Sequence, residues 1–211
     1  VFLLNNDTKV RPGCISALEA RMEREKELFS VSARMVDMRN PEIMDGAGDL
    51  YSALGWAYAI GKGKPAAYYG KPRKLFSACA GAAIYRKSAL ELTGDFDESH
   101  FAYLEDVDIG YRARILGFSN AYEPSAVVLH AGSATSGSRY NEFKVFYSAR
   151  NNVYLIYKNM PPLQILLNAP LLLAGFAVKT LFFLKKGYGG TYVKGLCEGI
   201  RLCREPASRA R

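Results

Sequence analysis

Val1-Phe2-Leu3-Leu4-Asn5-Asn6-Asp7-Thr8 opens the chain: four apolar residues in an unbroken run, then an abrupt change to Asn, Asn, Asp and Thr. A strand with one wet face alternates apolar and polar residues. A continuous apolar run that stops at polar ones is the pattern of a strand buried on both faces, as in a parallel sheet. Beyond it, Pro12 and Gly13 open a helix with Ile15, Leu18 and Met22 on one side, and residues 29–36 read as a second strand. Strand–helix–strand predicts an α/β layer. Residues 82–85 and 126–129 add short apolar strands, and 87–93 a short helix stopped by Gly94. Leu104, Val107, Tyr111 and Ile115 share one face of a helix predicted over 104–116, with Gly117 as its stop. Residues 37–74 carry many Gly, Tyr, Lys and Pro without a period, and read as a long loop of the kind that forms lids and binding segments.

The C-terminal third changes character. A helix is predicted over 140–158, with Tyr140, Phe143, Tyr147, Tyr154 and Tyr157 at helical spacing. Pro161-Pro162 breaks it, and 163–184 is apolar and long enough to cross a bilayer, for which about 20 residues suffice. Gln164, Asn168, Pro170 and Lys179 interrupt that run, which favours a helix pair lying in the membrane interface over a clean span. The predicted organisation is a catalytic portion over 1–138, a membrane-associating helical region over 139–205, and a basic tail over 206–211. A loop of small residues over 132–137 separates the first two.

The 211 residues are 49% hydrophobic, with 14 Tyr and 11 Phe, which excludes a disordered chain. The net charge of +8 suits anionic lipid, phosphate-bearing substrates or nucleic acid. Lys179, Lys185, Lys186, Lys194, Arg201, Arg204, Arg209 and Arg211 follow or interrupt the apolar run, a pattern of membrane surfaces and not of a DNA groove, so no nucleic-acid partner is expected. Cys14, Cys79, Cys197 and Cys203 form no CxxC pair and read as reduced thiols. The sequence begins inside a strand, without Met or signal peptide, and reads as a fragment.

Three polar clusters sit where an apolar element begins or ends, the place where open α/β sheets bind ligands. In Asn5-Asn6-Asp7-Thr8, a carboxylate just past a strand can hold a divalent cation against a diphosphate; a plain Asn/Asp turn gives the same residues. Glu105-Asp106-x-Asp108 crowds acids into the first turn of a helix, where the macrodipole favours them, and Asp106 lies off the apolar stripe. His130 ends the 126–129 strand and is a candidate metal ligand. His100, the other histidine, lies in a loop without evident partners.

Taken in order, Leu3-Leu4-Asn5-Asn6-Asp7-Thr8, Gly81-Ala82-Ala83-x2-Arg86, Gly94-x-Phe96-Asp97-Glu98, Tyr103-x-Glu105-Asp106-x-Asp108 with Arg112 and Gly117, and then His130 resemble a family 2 glycosyltransferase of the GT-A fold, closest to its rhamnosyltransferase-like branch. Arg150-Asn151 and the apolar C-terminal stretch are similar to that branch too. The resemblance implies a mostly parallel sheet flanked by helices. It implies Asp7 and His130 as ligands of Mg²⁺ or Mn²⁺, with Asn5 in place of the first acid of the usual DxD pair. Asp106 would be the general base. Glu105, Gly81, Ala82 and Asn6 would bind acceptor or donor. The implied reaction is inverting transfer of a sugar, rhamnose first, from a nucleoside-diphosphate sugar to a lipid-linked glycan or cell-envelope polysaccharide at the cytoplasmic face of a membrane. The nucleobase-binding segment would precede Val1, so residues 1–211 alone are expected to be inactive. A sugar-phosphate nucleotidyltransferase and a non-catalytic membrane-docking module are the alternatives.

Overall fold

The computed structural model describes residues 1–132 and 140–205; most of the 132–137 loop and the whole 206–211 tail lie outside the described residues. In chain order the elements are β1 (Phe2–Leu4), β2 (Thr8–Val10), α1 (Cys14–Arg24), β3 (Leu28–Asp37), β4 (Met44–Gly46), β5 (Asp49–Tyr51), β6 (Ala57–Ala59), β7 (Arg73–Leu75), β8 (Ala82–Tyr85), α2 (Lys87–Thr93), α3 (Glu105–Ile115), β9 (Ser119–His130), α4 (Glu142–Asn159), α5 (Pro162–Lys185) and α6 (Gly189–Leu202). They form two compact units. One holds Val1–Leu50, Tyr58–Phe96 and Ile109–Gly137; the other holds Tyr51–Ala57, Asp97–Asp108 and Ser138–Arg211.

The first unit is built on a seven-stranded sheet ordered β1-β8-β3-β9-β2, with β4 also paired to β3 and β7 to β9. Its spine is β3, buried almost throughout because Leu28, Phe29, Val31, Ala33, Met35 and Val36 alternate between two covered faces. β3 and β9 run parallel, from Leu28 beside Ser119 to Asp37 beside His130. All other pairs in this sheet are antiparallel. The sheet is therefore mixed, and the expectation of a mostly parallel one is corrected. The apolar run of β1 misled it: β1 pairs antiparallel with β8 and is only half buried, and continuous apolarity reports coverage, not strand direction.

On one face, Cys14, Leu18 and Met22 of α1 pack on Leu28, Val31, Ala33, Ala82, Ala121 and Val128. Gly13 starts α1 from a φ of 79°, a conformation that costs glycine nothing. Ile15 turns outward and is 46% exposed, so Cys14 takes the place expected for it. Arg86, one of the motif residues, donates to the carbonyls of Met22, Glu25 and Leu28, closing the end of α1 onto the start of β3. Arg112 likewise donates to the carbonyls of Thr93, Gly94 and Asp95 behind α2. Both arginines thus serve architecture. The predicted 37–74 loop holds four three-residue strands and a 3₁₀ turn at Ala66–Tyr69, each too short to display a period.

In the second unit, α4 and α6 pack backbone to backbone through glycine. A Cβ on Gly195 would stand 2.5 Å from the Phe146 carbonyl oxygen, and one on Gly199 2.5 Å from that of Arg150. α5 approaches the 51–57 segment through Gly175, and Lys179 lies over the Trp56 ring at 5.3 Å. Trp56 is therefore part of the packing of this unit. The opposite side of α5 is bare: Leu163, Leu166, Leu167, Leu173, Val178, Leu181 and Leu184 are each more than half exposed. At 100° per residue they cover an arc of about 140°, roughly two-fifths of the helix circumference. Among the described residues, α5 is the one helix long and apolar enough to cross a membrane.

Gly195→Ala sets two magnitudes against each other. Alanine gains about 1 kcal/mol of helix propensity. The methyl meets a backbone oxygen that cannot rotate away, and overpacking costs about 1–3 kcal/mol. The clash is expected to win, so the urea midpoint falls; an unchanged or raised midpoint contradicts the glycine contact.

Candidate functional site

Pairing of β2 with β9 sets Thr8 opposite His130, and pairing of β3 with β9 sets Asp37 beside it. The turn before β2 is closed by Thr8 Oγ1 donating to the Asn5 carbonyl at 2.6 Å, and by Ala131 N–H donating to the Asp7 carbonyl at 3.0 Å. These bonds fix Asp7 against the end of β9. Its Oδ1 lies 3.1 Å from His130 Nε2.

The other imidazole nitrogen is held as well. His130 Nδ1 lies 2.7 Å from Asp45 Oδ2, and Lys62 Nζ donates to Asp45 Oδ1 at 2.9 Å. Asp45 sits in β4, and sequence reasoning missed it. Its signal was an acid inside a three-residue strand, Met44-Asp45-Gly46, with nothing in its surroundings to single it out. The Asp45 hydrogen bond raises the His130 pKa above its ordinary value, against burial, with the Asp7 charge adding to it. Burial alone would push Asp45 up, but the hydrogen bonds from His130 and Lys62 bring it down to about 2.

The donor set suits a hard divalent cation at one corner: a carboxylate oxygen and an imidazole nitrogen converge, and a second carboxylate fixes the ring from behind, the usual arrangement around a metal-bound histidine. Asp7 and His130 would hold the ion, with Asp45 orienting the ring.

The other residues singled out from the sequence are distributed as follows. Gly81 accepts the Asn5 N–H at 3.0 Å, and a Cβ on it would touch the Asn5 amide at 3.2 Å. Ala82 is fully buried, its methyl in the core with Leu18 and Val31. Asn6 is exposed in the turn. Glu105 and Asp106 open α3 and belong to the second unit, whereas Asp7 and His130 belong to the first. Asp106 Oδ1 accepts the Val107 N–H at 2.8 Å. Glu105 is half-buried; one carboxylate oxygen has no hydrogen-bond partner among the described residues, and burial raises its pKa.

His100 ends a short 3₁₀ turn, Glu98–His100, and is fully buried. Its ring lies 5.2 Å from that of Tyr154, and neither nitrogen has a hydrogen-bond partner among the described residues. Beside it, Lys158 Nζ donates to Asp97 Oδ2 at 2.7 Å and to Asp108 Oδ2 at 2.9 Å. Tyr154 donates to Asp97, and Asn159 to Asp108. Asp97, His100 and Asp108 could together hold a cation by distance, but the Lys158 ammonium already lies between the carboxylates and supplies that charge.

No protein-family model matches the chain. A stretch of 54 residues, 26% of this chain, is 44% identical to N-acetylglucosaminyl-diphospho-decaprenol L-rhamnosyltransferase of Mycobacterium tuberculosis, in strains CDC 1551 / Oshkosh and ATCC 25618 / H37Rv alike. The match spans 18% of the length of those relatives. The relationship is to a glycosyltransferase, over about a quarter of the chain.

The buried cluster fixes an acid response. Burial lowers the folded pKa of His100 to about 4, against about 6.5 unfolded. Between those values the unfolded chain binds more protons, so stability falls as pH drops, by about 3 kcal/mol in all, and the slope ends below pH 4. Asp97 adds a second phase: despite burial, Lys158 and the Ser99 N–H hold its carboxyl well below the usual range, so its contribution is present above about pH 4 and lost beneath it. His100→Phe should abolish the first phase and keep the second, as read by urea unfolding across pH; an unchanged first phase would assign it elsewhere.

Proposed function

We propose that this chain belongs to an inverting glycosyltransferase that moves a sugar, rhamnose first, from a nucleoside-diphosphate donor to a lipid-linked acceptor at the cytoplasmic face of a membrane. The observation that carries the reading is the convergence of Asp7 and His130 at 3.1 Å from two strand ends, with Asp45 behind the ring. The partial likeness to a rhamnosyltransferase supports the same class, and that relative's name gives rhamnose as the sugar moved and a diphospho-decaprenol lipid as its acceptor. The bare apolar side of α5 supports a membrane location.

In this reading Asp7 and His130 would hold Mn²⁺ or Mg²⁺, which when bound would supply positive charge to offset that of the departing nucleoside diphosphate. His130 must present a neutral Nε2, so Asp45 does two things: it keeps the Nδ1 proton and aims the other nitrogen at Asp7. Asp106 takes the proton from the acceptor hydroxyl as that oxygen attacks the anomeric carbon. In the same reading Glu105, Gly81, Ala82 and Asn6 bind acceptor or donor.

α5 is read as lying in the interface plane. Its 24 residues span about 36 Å, enough for a bilayer core of about 30 Å. One side, however, is occupied by the 51–57 segment and carries Lys179 against Trp56. A helix with one covered face and one bare apolar face is suited to half-immersion. Apolar burial supplies most of the attraction, and Lys185, Lys186 and nearby basic residues add about 1 kcal/mol each on an anionic leaflet.

Two measurements test this reading. Asp106→Asn keeps the shape and removes the base, and is expected to lower turnover of the intact protein at least about 100-fold with donor binding kept. Near-normal turnover removes Asp106 from that role. Separately, Mn²⁺ titration followed by electron paramagnetic resonance should show weakening of at least about 10-fold for His130→Ala and for Asp45→Asn. Unaltered Mn²⁺ affinity in His130→Ala rules out this metal site. For the membrane, the protein is expected to float with anionic vesicles at low salt, and Leu166→Glu/Leu173→Glu is expected to stay at the bottom of the gradient; equal flotation of both discards α5 as the contact.

A further inference from the structure

Within four residues ahead of α3, three that are not glycine have positive φ: Phe101 at 58°, Tyr103 at 68° and Leu104 at 68°. Side chains with a Cβ rarely adopt this conformation, and runs of it persist only where surroundings over-determine them. Leu104 is the last residue before the helix, and its carbonyl accepts the Asp108 N–H at 2.8 Å, so the strained turn sets the direction in which α3 departs. Glu105 and Asp106 are its first two residues.

What over-determines the turn is one side chain of α4. The Asn151 amide nitrogen lies 2.8 Å from the His100 carbonyl oxygen, 2.7 Å from that of Ala102 and 2.7 Å from that of Tyr103. Asn151 is fully buried. Its own oxygen accepts from Arg150 Nε at 2.9 Å, which settles which end of the amide faces the turn. Arg150 also donates to the carbonyls of Ser99 and His100, and its guanidinium lies over Tyr147 at 4.9 Å. Two adjacent residues thus hold the carbonyls of residues 99, 100, 102 and 103. The chemistry is selective: a carboxylate at position 151 would turn oxygen toward three oxygens, and a methyl would leave them without this donor.

We infer that Asn151, seconded by Arg150, is the positioning residue for Asp106: it clamps the left-handed turn 101–104 from which α3 starts, and thereby sets the place of the carboxylate. The inference rests on the reading of Asp106 as the base.

The test uses the intact protein with Asn151→Ala, Asp106→Asn, the double variant, and Asn151→Ala combined with Leu104→Gly. Asn151→Ala is expected to lower kcat about 10- to 100-fold, the effect of misplacing a reacting group by about an ångström, with donor KM within about two-fold. The double variant should be no slower than Asp106→Asn alone, because a misplaced base that is already absent costs nothing more. Amide hydrogen exchange over residues 99–106 should accelerate while α1 stays protected. Leu104→Gly should return part of the lost kcat, since glycine adopts positive φ without strain. If Asn151→Ala fails to fold, Arg150→Gln should give the same signature at smaller size. A kcat equal to the parent's in folded Asn151→Ala, or losses that multiply in the double variant, overturns the inference. Unchanged exchange at 99–106 overturns it whichever way Asp106→Asn behaves. Normal turnover by Asp106→Asn sinks the base reading and, with it, the role given to the clamp, while the exchange data still report on the clamp itself.

Discussion

The parallel ladder between β3 and β9 is the constraint on which the first unit depends. It runs from Leu28 beside Ser119 to Asp37 beside His130, and everything near the candidate metal corner is hung from its far end. β4 reaches that end by pairing Val36 with Met44, which delivers Asp45; β2 reaches it by pairing Thr8 with His130, which delivers Asp7. The three side chains come from separate parts of the chain: the β3–β9 ladder brings Asp45 to His130 through β4, and the β2–β9 pair brings Asp7. Because β3 and most of β9 are buried, the backbone at this end of the sheet has little freedom, and the ring of His130 is held from both nitrogens. Side chains set on strand ends in this way are positioned by the core.

The ladder also contains an irregularity with a cause in the sequence. Ala33 pairs with Glu123 and Arg34 with Val127, so residues 124–126 bulge out of β9. Pro124 is one of them, and a proline cannot donate to a ladder. The bulge places it where no donation is required. Ala126 returns to the buried core and Ser125 stays exposed, with its N–H and hydroxyl both given to Glu123.

This explains how much the sequence disclosed. Strong local signals were legible: α2 falls on the predicted residues 87–93, β8 on 82–85, and α3 starts one residue after the predicted 104. The closeness of Asp7 and His130 was legible too, since both follow apolar runs that stop abruptly. β9 read as four residues and is twelve, because Pro124 and its polar neighbours hide a strand that survives by bulging. β4 to β7 were invisible because a three-residue strand has no period, and Asp45 was lost with them. The burial of His100 was not legible for a different reason: the Tyr154 ring that covers it comes from α4, more than fifty residues away in sequence. Long-range burial of a polar group leaves no local trace.

The second unit solves a different physical problem from the first. It must bury charge, carry a strained turn and bring two helices into close contact, and one helix serves all three. α4 gives Lys158 and Asn159 to the acids Asp97 and Asp108, Arg150 and Asn151 to the turn, and the Phe146 and Arg150 carbonyls to the glycine face of α6. Its polar residues are therefore not a solvated face, although a helical wheel would present them so. Asn151, Asn152 and Asn159 are all buried. Burying amides and a lysine is favourable only when each finds partners, and removing one partner leaves the other at full desolvation cost. The apolar core of this unit is small, built on Val145, Ala149 and Tyr192 with Phe183 and Leu196 against them, while leucines line the exposed side of α5. Polar groups fixed within and leucines displayed on α5, the one helix among the described residues long and apolar enough to cross a membrane, are the features of this unit that bear on membrane association.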